Sequence, residues 1–467
     1  VGYTKKAVVI GAGISGLACA YRLKKSGISC LVLEAADRPG GVIATVRRNG
    51  FLFETGPQFP RFPEPVWRLV QELQLEKEFI YGDKKAKRYI LRDGRMHPAP
   101  FSPGALIGTR LLGFASKFRI LTEGFRSSKP PAGEESLARF VRRKFGDEVL
   151  DNLVDPFVST IFFADPEKMG MESAFPALVQ WEREGGSVVR GAILAQRAKK
   201  THANGRQALA KEKREELHVT AALPTLGTFQ SGMARLPERL AEELRGETIY
   251  EVEATSVTRV PEKDGTVTAG WQIGLSNGER FTSEHLVLAV PAYVAATLLA
   301  GSVPQLGALL DGIEYAPMSA TASAYDRAQV AHPLDGFGFM APRREGLRTI
   351  CTFWNSSLFP VRGPEGKVVM TSFAGDADDS CASAVEAENA AALGISGGPI
   401  DGVIWKSQRA MPQYNVGHAR RVAEIHGKLQ DQPNLRVIGN YLKGRSIADC
   451  VELAESAAQD VRSQLGT

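Results

Sequence analysis

Gly11, Gly13 and Gly16 are spaced as GxGxxG in "GAGISG", and one acid, Glu34, follows 23 residues after Gly11. These are the residues whose types and spacing first suggest chemistry. The first glycine permits a tight turn, the second lets the backbone approach a pyrophosphate, and the third lets a helix pack on a strand. The phosphates then lie at the positive end of a helix. A carboxylate at Glu34 accepts hydrogen bonds from ribose hydroxyls and repels a 2′-phosphate, which disfavours NADP. The surrounding elements agree with a dinucleotide site. "KAVVIGAG" reads as a strand. "SGLACAYRLKKSG" has helical spacing at Leu17, Ala20, Tyr21 and Leu23, with Gly27 as a stop signal. "SCLVLEA" is a second buried strand, so the three form the βαβ unit of a parallel sheet.

The remaining composition excludes several classes. The chain has 467 residues, 43% hydrophobic and 23% charged, which suits a folded protein of two or three domains. No run of about 18 apolar residues exists, so no membrane span is expected. No signal peptide is visible at Val1. Cys19, Cys30, Cys351, Cys381 and Cys450 are scattered and form no CxxC. That pattern reads as a reduced, intracellular protein without disulfides or a zinc site. His202, His218, His418 and His426 lack ligand spacing, and there is no HExxH, Ser-His-Asp pattern or paired-carboxylate site. No metal is expected. The net charge of +5 conceals a basic block, Lys84 to Lys144, with 15 Lys/Arg against 4 Asp/Glu. Such a block suits an anionic partner or is a solvated basic face.

Further along, "GFLFETGP" reads as a hairpin piece, 65–75 as a helix, and "KRYILRDGRMH" as two strands around an Asp-Gly turn. Residues 100–200 are mostly helical in pattern. "GALIGTRLLGFASKFRILTEGF" and "SLARFVRRKFGDEVLDNLVDPF" read as two amphipathic helices, facing either a core or a membrane surface. The charged stretch 197–218 reads as an exposed helix or linker. Strands then return, and "NLRVIGNYLKGRSIADCVELAESAAQDV" closes the chain as a strand, a glycine-containing loop and a long helix. Dinucleotide elements at both ends of the chain argue for interleaved domains.

After Glu34, "AADRPGGVIATVRRNGFLFETGP" resembles the extended signature of FAD-dependent amine oxidases, with Arg38, Gly40, Gly41 and Gly56-Pro57 in place. "FGDEVLDNLVDPFVS", "ADPEKMGMESAFPAL", "TFQSGMARLPERL", "AMPQYNVGH" and "GNYLKGRSIADC" follow in order. Together they resemble the oxygen-dependent protoporphyrinogen oxidase family, including its coproporphyrinogen-oxidising relatives. The resemblance implies an α/β plus α+β fold: a Rossmann-like FAD-binding domain interleaved with a sheet-based substrate domain and a helical membrane-associating domain. The expected division is 1–75, 226–292 and 428–467 for FAD, 76–98 and 293–427 for substrate, and 99–225 for the helical domain. It implies non-covalent FAD, O2 as acceptor and a porphyrinogen substrate. That substrate is protoporphyrinogen IX, with coproporphyrinogen III as the alternative. Another amine-oxidase-type enzyme and a non-catalytic porphyrin carrier stand as further alternatives. Cys450 is not placed like a covalent-flavin cysteine.

Carried over motif by motif, the resemblance assigns Gly11, Ala12, Gly13, Ile14, Ser15, Gly16, Glu34, Ala35, Arg38, Gly40, Gly41, Val42, Gly56, Pro57, Gln58 and Phe59 to the cofactor. Val257 is assigned to the adenine, with Val252 as the alternative. Asn440, Arg445, Ser446 and Ile447 fall in the loop before a flavin-facing helix. Arg88 is expected to pair with a substrate propionate, and Phe337 and Met318 to flank pyrrole rings. In "PFVSTIFFADP", a slot-lining loop in the resemblance, Thr160 and Phe163 replace small residues and present more bulk, a change expected to weaken diphenyl-ether inhibitors. Lys443 and Arg445 add charge where relatives carry small or apolar residues, which suits a carboxylate-rich substrate. Arg110, Lys117, Arg119, Arg142, Arg143 and Lys144 are expected to face anionic lipid. The resemblance places the protein in the cytoplasm or peripherally on a membrane. It allows a homodimer and contact with ferrochelatase or other haem-pathway enzymes, and it gives no role to nucleic acid.

Overall fold

The computed structural model describes residues 3–83, 85–126, 131–195, 226–260 and 270–466. The stretch 197–218, with His202 and His218, lies outside them. The β-branched strand Tyr3–Ile10 pairs in parallel with Cys30–Leu33 on one side and with Arg280–Leu288 on the other. The sheet extends through Gly270–Leu275 to Ala254–Val260 at one edge and to Thr248–Ile249 at the other, and Leu435–Val437 pairs in parallel with Arg280–Leu288. Ile10, Leu33, Leu288 and Val437 therefore end their strands on the same side, where an open parallel sheet binds ligands. The helices Ile14–Lys25 and Ile447–Leu465 pack together on one face, sharing a core that includes Leu17, Tyr21, Val451 and Ala454.

A second sheet of seven strands runs in the order Asp401–Pro412, Tyr315–Asp326, Lys367–Ala374, Thr349–Phe353, Gly336–Met340, Lys87–Arg92 and Arg95–Pro98. Its last two strands turn at Asp93-Gly94, both at positive φ (51° and 68°), as a two-residue hairpin requires. A small hairpin, Thr45–Arg48 with Phe51–Glu54, seats Phe51 and Phe53 on Ala322, Ala324 and Val369 of the second sheet. From its end Glu54 reaches back toward the first sheet. Its carboxylate accepts from Thr45 Oγ1 (2.7 Å) and the Met233 amide (2.9 Å) and ion-pairs with Arg362 (2.8 Å). Arg362 also donates to Thr228, and both charged residues are fully buried.

The two expected amphipathic helices are both broken. The first divides into Pro103–Gly108 and Phe114–Leu121, with the Gly113 amide held by Glu148 (3.0 Å). The second is Leu137–Lys144, followed by a short turn of helix, a π turn at Leu150–Val154 and the helix Asp155–Phe162. "PFVSTIFFADP" is therefore largely helical, not a loop. Pro156 has no amide hydrogen and crowds the carbonyl one turn back, and the π turn just before it absorbs that misfit. The positive φ falls on Phe163 (48°) at the helix end, and Thr160 sits inside the helix.

Five of the six basic residues are engaged by carboxylates or carbonyls of the helical region. Lys144 is buried and ion-pairs with Glu182 (2.6 Å) and Glu123 (3.4 Å). Arg143 pairs with Glu182 (2.6 Å) and Glu135, and Arg142 with Glu167 and Asp147. Arg119 donates to the carbonyls of Arg142, Arg143 and Lys144, and Lys117 to that of Thr109. Among those six cations, Arg110 alone remains exposed without such a partner among the described residues. The exposed surface here is apolar instead: Ile107, Phe114, Phe118, Leu121 and Phe125 stand in solvent, Phe114 at 84% and Phe125 at 90% exposure. Among the described residues no helix is long and apolar enough to cross a membrane.

Two stability predictions follow from these buried charges. Burial alone raises the Glu182 carboxyl, but hydrogen bonds and charge from Arg143 and Lys144 outweigh it and hold the group at about 2. A carboxyl with a depressed folded-state pKa stabilises fully above its ordinary value of 4.5 and loses that contribution as pH falls toward about 2. The urea midpoint is expected to fall between pH 5 and pH 3, and to fall less in Glu182→Gln. Arg362→Met strands the Glu54 carboxylate and is expected to cost about 3–5 kcal/mol in urea unfolding. The double variant Glu54→Leu/Arg362→Met is expected to lose less than Arg362→Met alone.

Candidate active site

At the carboxyl ends of the parallel strands lies a cavity of about 450 Å³. The strand Tyr3–Ile10 delivers Gly11 to it at φ 104°, where a Cβ would lie 2.6 Å from the Ala289 carbonyl oxygen. At Gly16 a Cβ would lie 1.9 Å from the Gly11 carbonyl oxygen, so helix and strand meet there. Gly13 has open space where its Cβ would be, room for a phosphate beside the helix Ile14–Lys25. The turn Gly40-Gly41 folds onto this loop, bridging Gly40 to Gly13. Arg38 straps that turn by donating to the Gly41 carbonyl (2.9 Å). Glu34 accepts from the amides of Ala12 (2.6 Å) and Ala36 (2.9 Å), which fixes the carboxylate while leaving lone pairs for ribose hydroxyls. These features fit a dinucleotide with its adenosine toward Glu34, its pyrophosphate at Gly11–Gly13 and its ring system beyond.

The far end of the cavity is built from Val42, Pro57, Asn440, Arg445, Ile447 and Cys450, with Trp405, Ser407, Arg409 and Ala410 from the second sheet. Of the expected cofactor residues, Gly11, Gly13, Ile14, Ser15, Glu34, Ala35, Gly40, Gly41, Val42, Pro57, Asn440, Arg445 and Ile447 line it. Ala12, Gly16, Arg38 and Gly56 shape the turns behind it. Ser446 caps the last helix, exchanging hydrogen bonds with Asp449. Gln58 is buried and donates to the Glu54 and Gly56 carbonyls while accepting from Asn355 (2.6 Å), so it braces the turn. Val257 does not line the cavity: it is core, paired with Ile273, and Val252 lines the cavity instead. The Val252 amide bonds the Glu34 carbonyl, which sets it beside the ribose acid. Sequence reasoning missed Ala289, Val290 and Pro291, although "VLAVP" marks the end of a parallel strand, where such sites form.

Next to this cavity a row of rings crosses the second sheet. Arg88 lies over Phe337 (4.1 Å to the ring centroid) and near Phe101 (5.3 Å). Phe337 meets Phe59 (5.2 Å), Phe59 meets Phe353 (5.0 Å), Phe353 meets Phe373 (6.0 Å), and Phe373 meets Phe163 (5.7 Å). Met318 packs in the same cluster, which also takes in Trp405 of the cofactor cavity. The structure thus brings Arg88, Phe337, Met318 and Phe163 to one surface. Thr160 sets its hydroxyl beside the Cys351 thiol, which packs in the same cluster as Phe373 and Phe163 and which burial pushes up to about 12.

Arg88 and Arg445, both beside aromatic rings of the site, have no carboxylate partner among the described residues. Burial and the nearby Arg61 lower the pKa of Arg88. Arg445 donates to the Phe162 carbonyl (2.6 Å) and stacks on Phe162 (3.9 Å) and Tyr414 (5.0 Å). Its Nη2 is shielded and unpartnered, and burial pushes the group down to about 9. Lys443, by contrast, is spent on Glu452 (2.7 Å). A site with apolar walls and a few convergent cations suits a large apolar ligand with acidic edges.

Known proteins share this architecture. The family of flavin containing amine oxidoreductases matches residues 14–462. A chloroplastic protoporphyrinogen oxidase of Nicotiana tabacum is 30% identical, over 97% of this chain and 85% of its own. A coproporphyrinogen III oxidase of Bacillus subtilis is 26% identical, over 99% and 98%. A crystal structure from Exiguobacterium sp. 255-15 superposes with a TM-score of 0.79 at 21% identity, covering 99% of this chain and all of that one. Matches along nearly the whole chain agree with the motifs and with the geometry at Gly11–Gly16. The chain belongs to the flavin containing amine oxidoreductase family and is an oxidoreductase that works through a flavin.

Proposed function

We propose that this chain oxidises a porphyrinogen to a porphyrin, using non-covalent FAD and O2. The observation that carries the reading is the ring row from Arg88 and Phe337 to Phe163, which reaches the cofactor cavity at Trp405. FAD held there would supply a two-electron acceptor for hydride from the macrocycle and a route for those electrons to O2, giving H2O2, with three such oxidations needed per porphyrin. The chain supplies position. Gly11, Gly13 and the helix after them would hold the pyrophosphate, Glu34 the ribose, and the Gly40-Gly41 turn folds onto the glycine loop beside it. Arg88 takes a propionate by two parallel hydrogen bonds, and the rings exclude water from the macrocycle. Non-covalent attachment is supported at Cys450, the cysteine lining the cavity: burial pushes its thiol up to about 11, so it is a poor nucleophile.

Protoporphyrinogen IX is the first reading of the substrate, from the named relatives. Coproporphyrinogen III is the second, favoured by Arg445, an uncompensated cation well along the chain from Arg88 and suited to an additional carboxylate. We further assign 1–75, 226–292 and 428–467 to FAD binding, 76–98 and 293–427 to substrate, and 99–225 to membrane association. The membrane contact in this proposal is made by Phe114, Phe118, Leu121 and Phe125, not by the basic side chains.

Aerobic turnover of both porphyrinogens, followed by porphyrin fluorescence, tests the activity; no porphyrin from either substrate sinks it. Arg88→Leu is expected to raise KM tenfold or more with a smaller effect on kcat. Arg445→Leu is expected to lower kcat/KM for coproporphyrinogen III more than for protoporphyrinogen IX, and an equal loss removes the second reading. In vesicle co-sedimentation, neutral lipid is expected to bind the protein and to keep it at high salt, and Phe114→Asp/Phe118→Asp to release it. Binding that needs anionic lipid and vanishes with salt overturns the apolar contact.

A further inference from the structure

We propose that the helical region holds one free long-chain carboxylate, its alkyl tail in an apolar cavity and its headgroup at Arg88. The cavity, about 380 Å³, lies between the helices Leu137–Lys144, Asp155–Phe162 and Pro176–Gly185 and the second sheet. Every side chain that lines it is apolar, among them Val141, Phe157, Val158, Leu178 and Met340. It shares no lining residue with the cofactor cavity. Several of its walls, including Phe157 and Leu178, are only partly buried, so it opens to the outside. Protein interiors are close-packed, and an apolar void costs stability in proportion to its volume. Voids lined this way stay dry and take apolar ligands. A cavity of this shape and chemistry therefore calls for an alkyl chain.

The headgroup follows from the rim. Phe101 lines the cavity yet is 60% exposed, and the Arg88 guanidinium lies against its ring. Ile90, two residues along the same strand and on the same face as Arg88, also lines the cavity. Arg61 adds positive charge beside Arg88, and neither has a carboxylate partner among the described residues. A tail in the cavity thus ends at an uncompensated cation, which selects an anionic head. One cavity admits one tail, which favours a single-chain acid over a two-chain lipid. Arg88 is also the substrate anchor in the reading above. The mutual exclusion of the two ligands rests on that reading, whereas binding of the acid does not.

Titration calorimetry on the flavin-loaded protein tests the site with octanoate, decanoate, dodecanoate and dodecyltrimethylammonium. Affinity is expected to rise about fourfold per methylene from octanoate to dodecanoate. The cationic amphiphile is expected to bind at least tenfold more weakly than dodecanoate, and Arg88→Met to weaken dodecanoate by a similar factor. Val141→Phe narrows the cavity and is expected to weaken dodecanoate as well; Leu178→Phe, at a partly exposed wall, serves the same purpose if Val141→Phe does not fold. No dependence on chain length, equal binding of the cation, or unchanged affinity in Arg88→Met overturns the site. Dodecanoate that binds as expected without raising the porphyrinogen KM supports the site and removes Arg88 as the substrate anchor.

Discussion

The buried pair of Glu54 and Arg362 is the constraint on which the site depends. Glu54 ends a hairpin whose Phe51 and Phe53 rest on the second sheet, while its carboxylate holds Thr45 and the Met233 amide, and Met233 belongs to the core of the first sheet. Arg362 reaches it from the second-sheet side and also donates to Thr228, from the segment before Met233. Four stretches of chain meet at one charge pair. Two charges removed from water cost several kcal/mol each, so the pair is tolerated only because hydrogen bonds satisfy much of what remains. Such a junction adds little net stability against an apolar one, but it admits few alternative alignments. Beyond Thr55 come Gly56, Pro57, Gln58 and Phe59, which brace the turn beside the cofactor cavity and begin the ring row. A shift at Glu54 therefore displaces the cavity wall and the ring row together.

The cations singled out in the sequence divide into two kinds. Arg142, Arg143, Lys144, Lys117 and Arg119 are satisfied inside the helical region by carboxylates or by helix-end carbonyls. Arg88 and Arg445 are not satisfied by any carboxylate among the described residues, and both adjoin aromatic rings. Desolvation disfavours the charged form of each, which is what lowers their pKa values. Net charge along the sequence carries no information on this division. It is decided by partners such as Glu182 and Glu123, which come from other helices.

The same distinction explains what was legible in the sequence. The glycine loop, Glu34 and the Asp93-Gly94 turn were readable because each is specified by neighbours a few residues away. Motif resemblance gathered Arg88, Phe337 and Met318, which the second sheet does bring together. Three features were hidden. The fate of Pro156 depended on a π turn that no propensity announces, so a helix was read as a loop. Val252 rather than Val257 reaches the cavity because the Glu34 carbonyl captures the Val252 amide before the strand begins. Lys144 looked like a surface cation because its partner, Glu182, lies on another helix.

Phe163 shows how these levels combine. A bulky residue at positive φ is strained by about 1–3 kcal/mol, and such strain persists only where the surroundings over-determine it. Here the Phe163 amide closes the helix on the Ser159 carbonyl, Arg445 grips the Phe162 carbonyl, and Arg343 holds the Ala164 carbonyl and Asp165. The turn is thus fastened on both sides of the strained residue, by one arginine of the cofactor wall and one of the second sheet. Its ring is driven against Phe373 and completes the ring row. A glycine there would relax the backbone and leave the end of the row open. The bulk at Phe163 is held in place by the same arginine, Arg445, that lines the cofactor cavity.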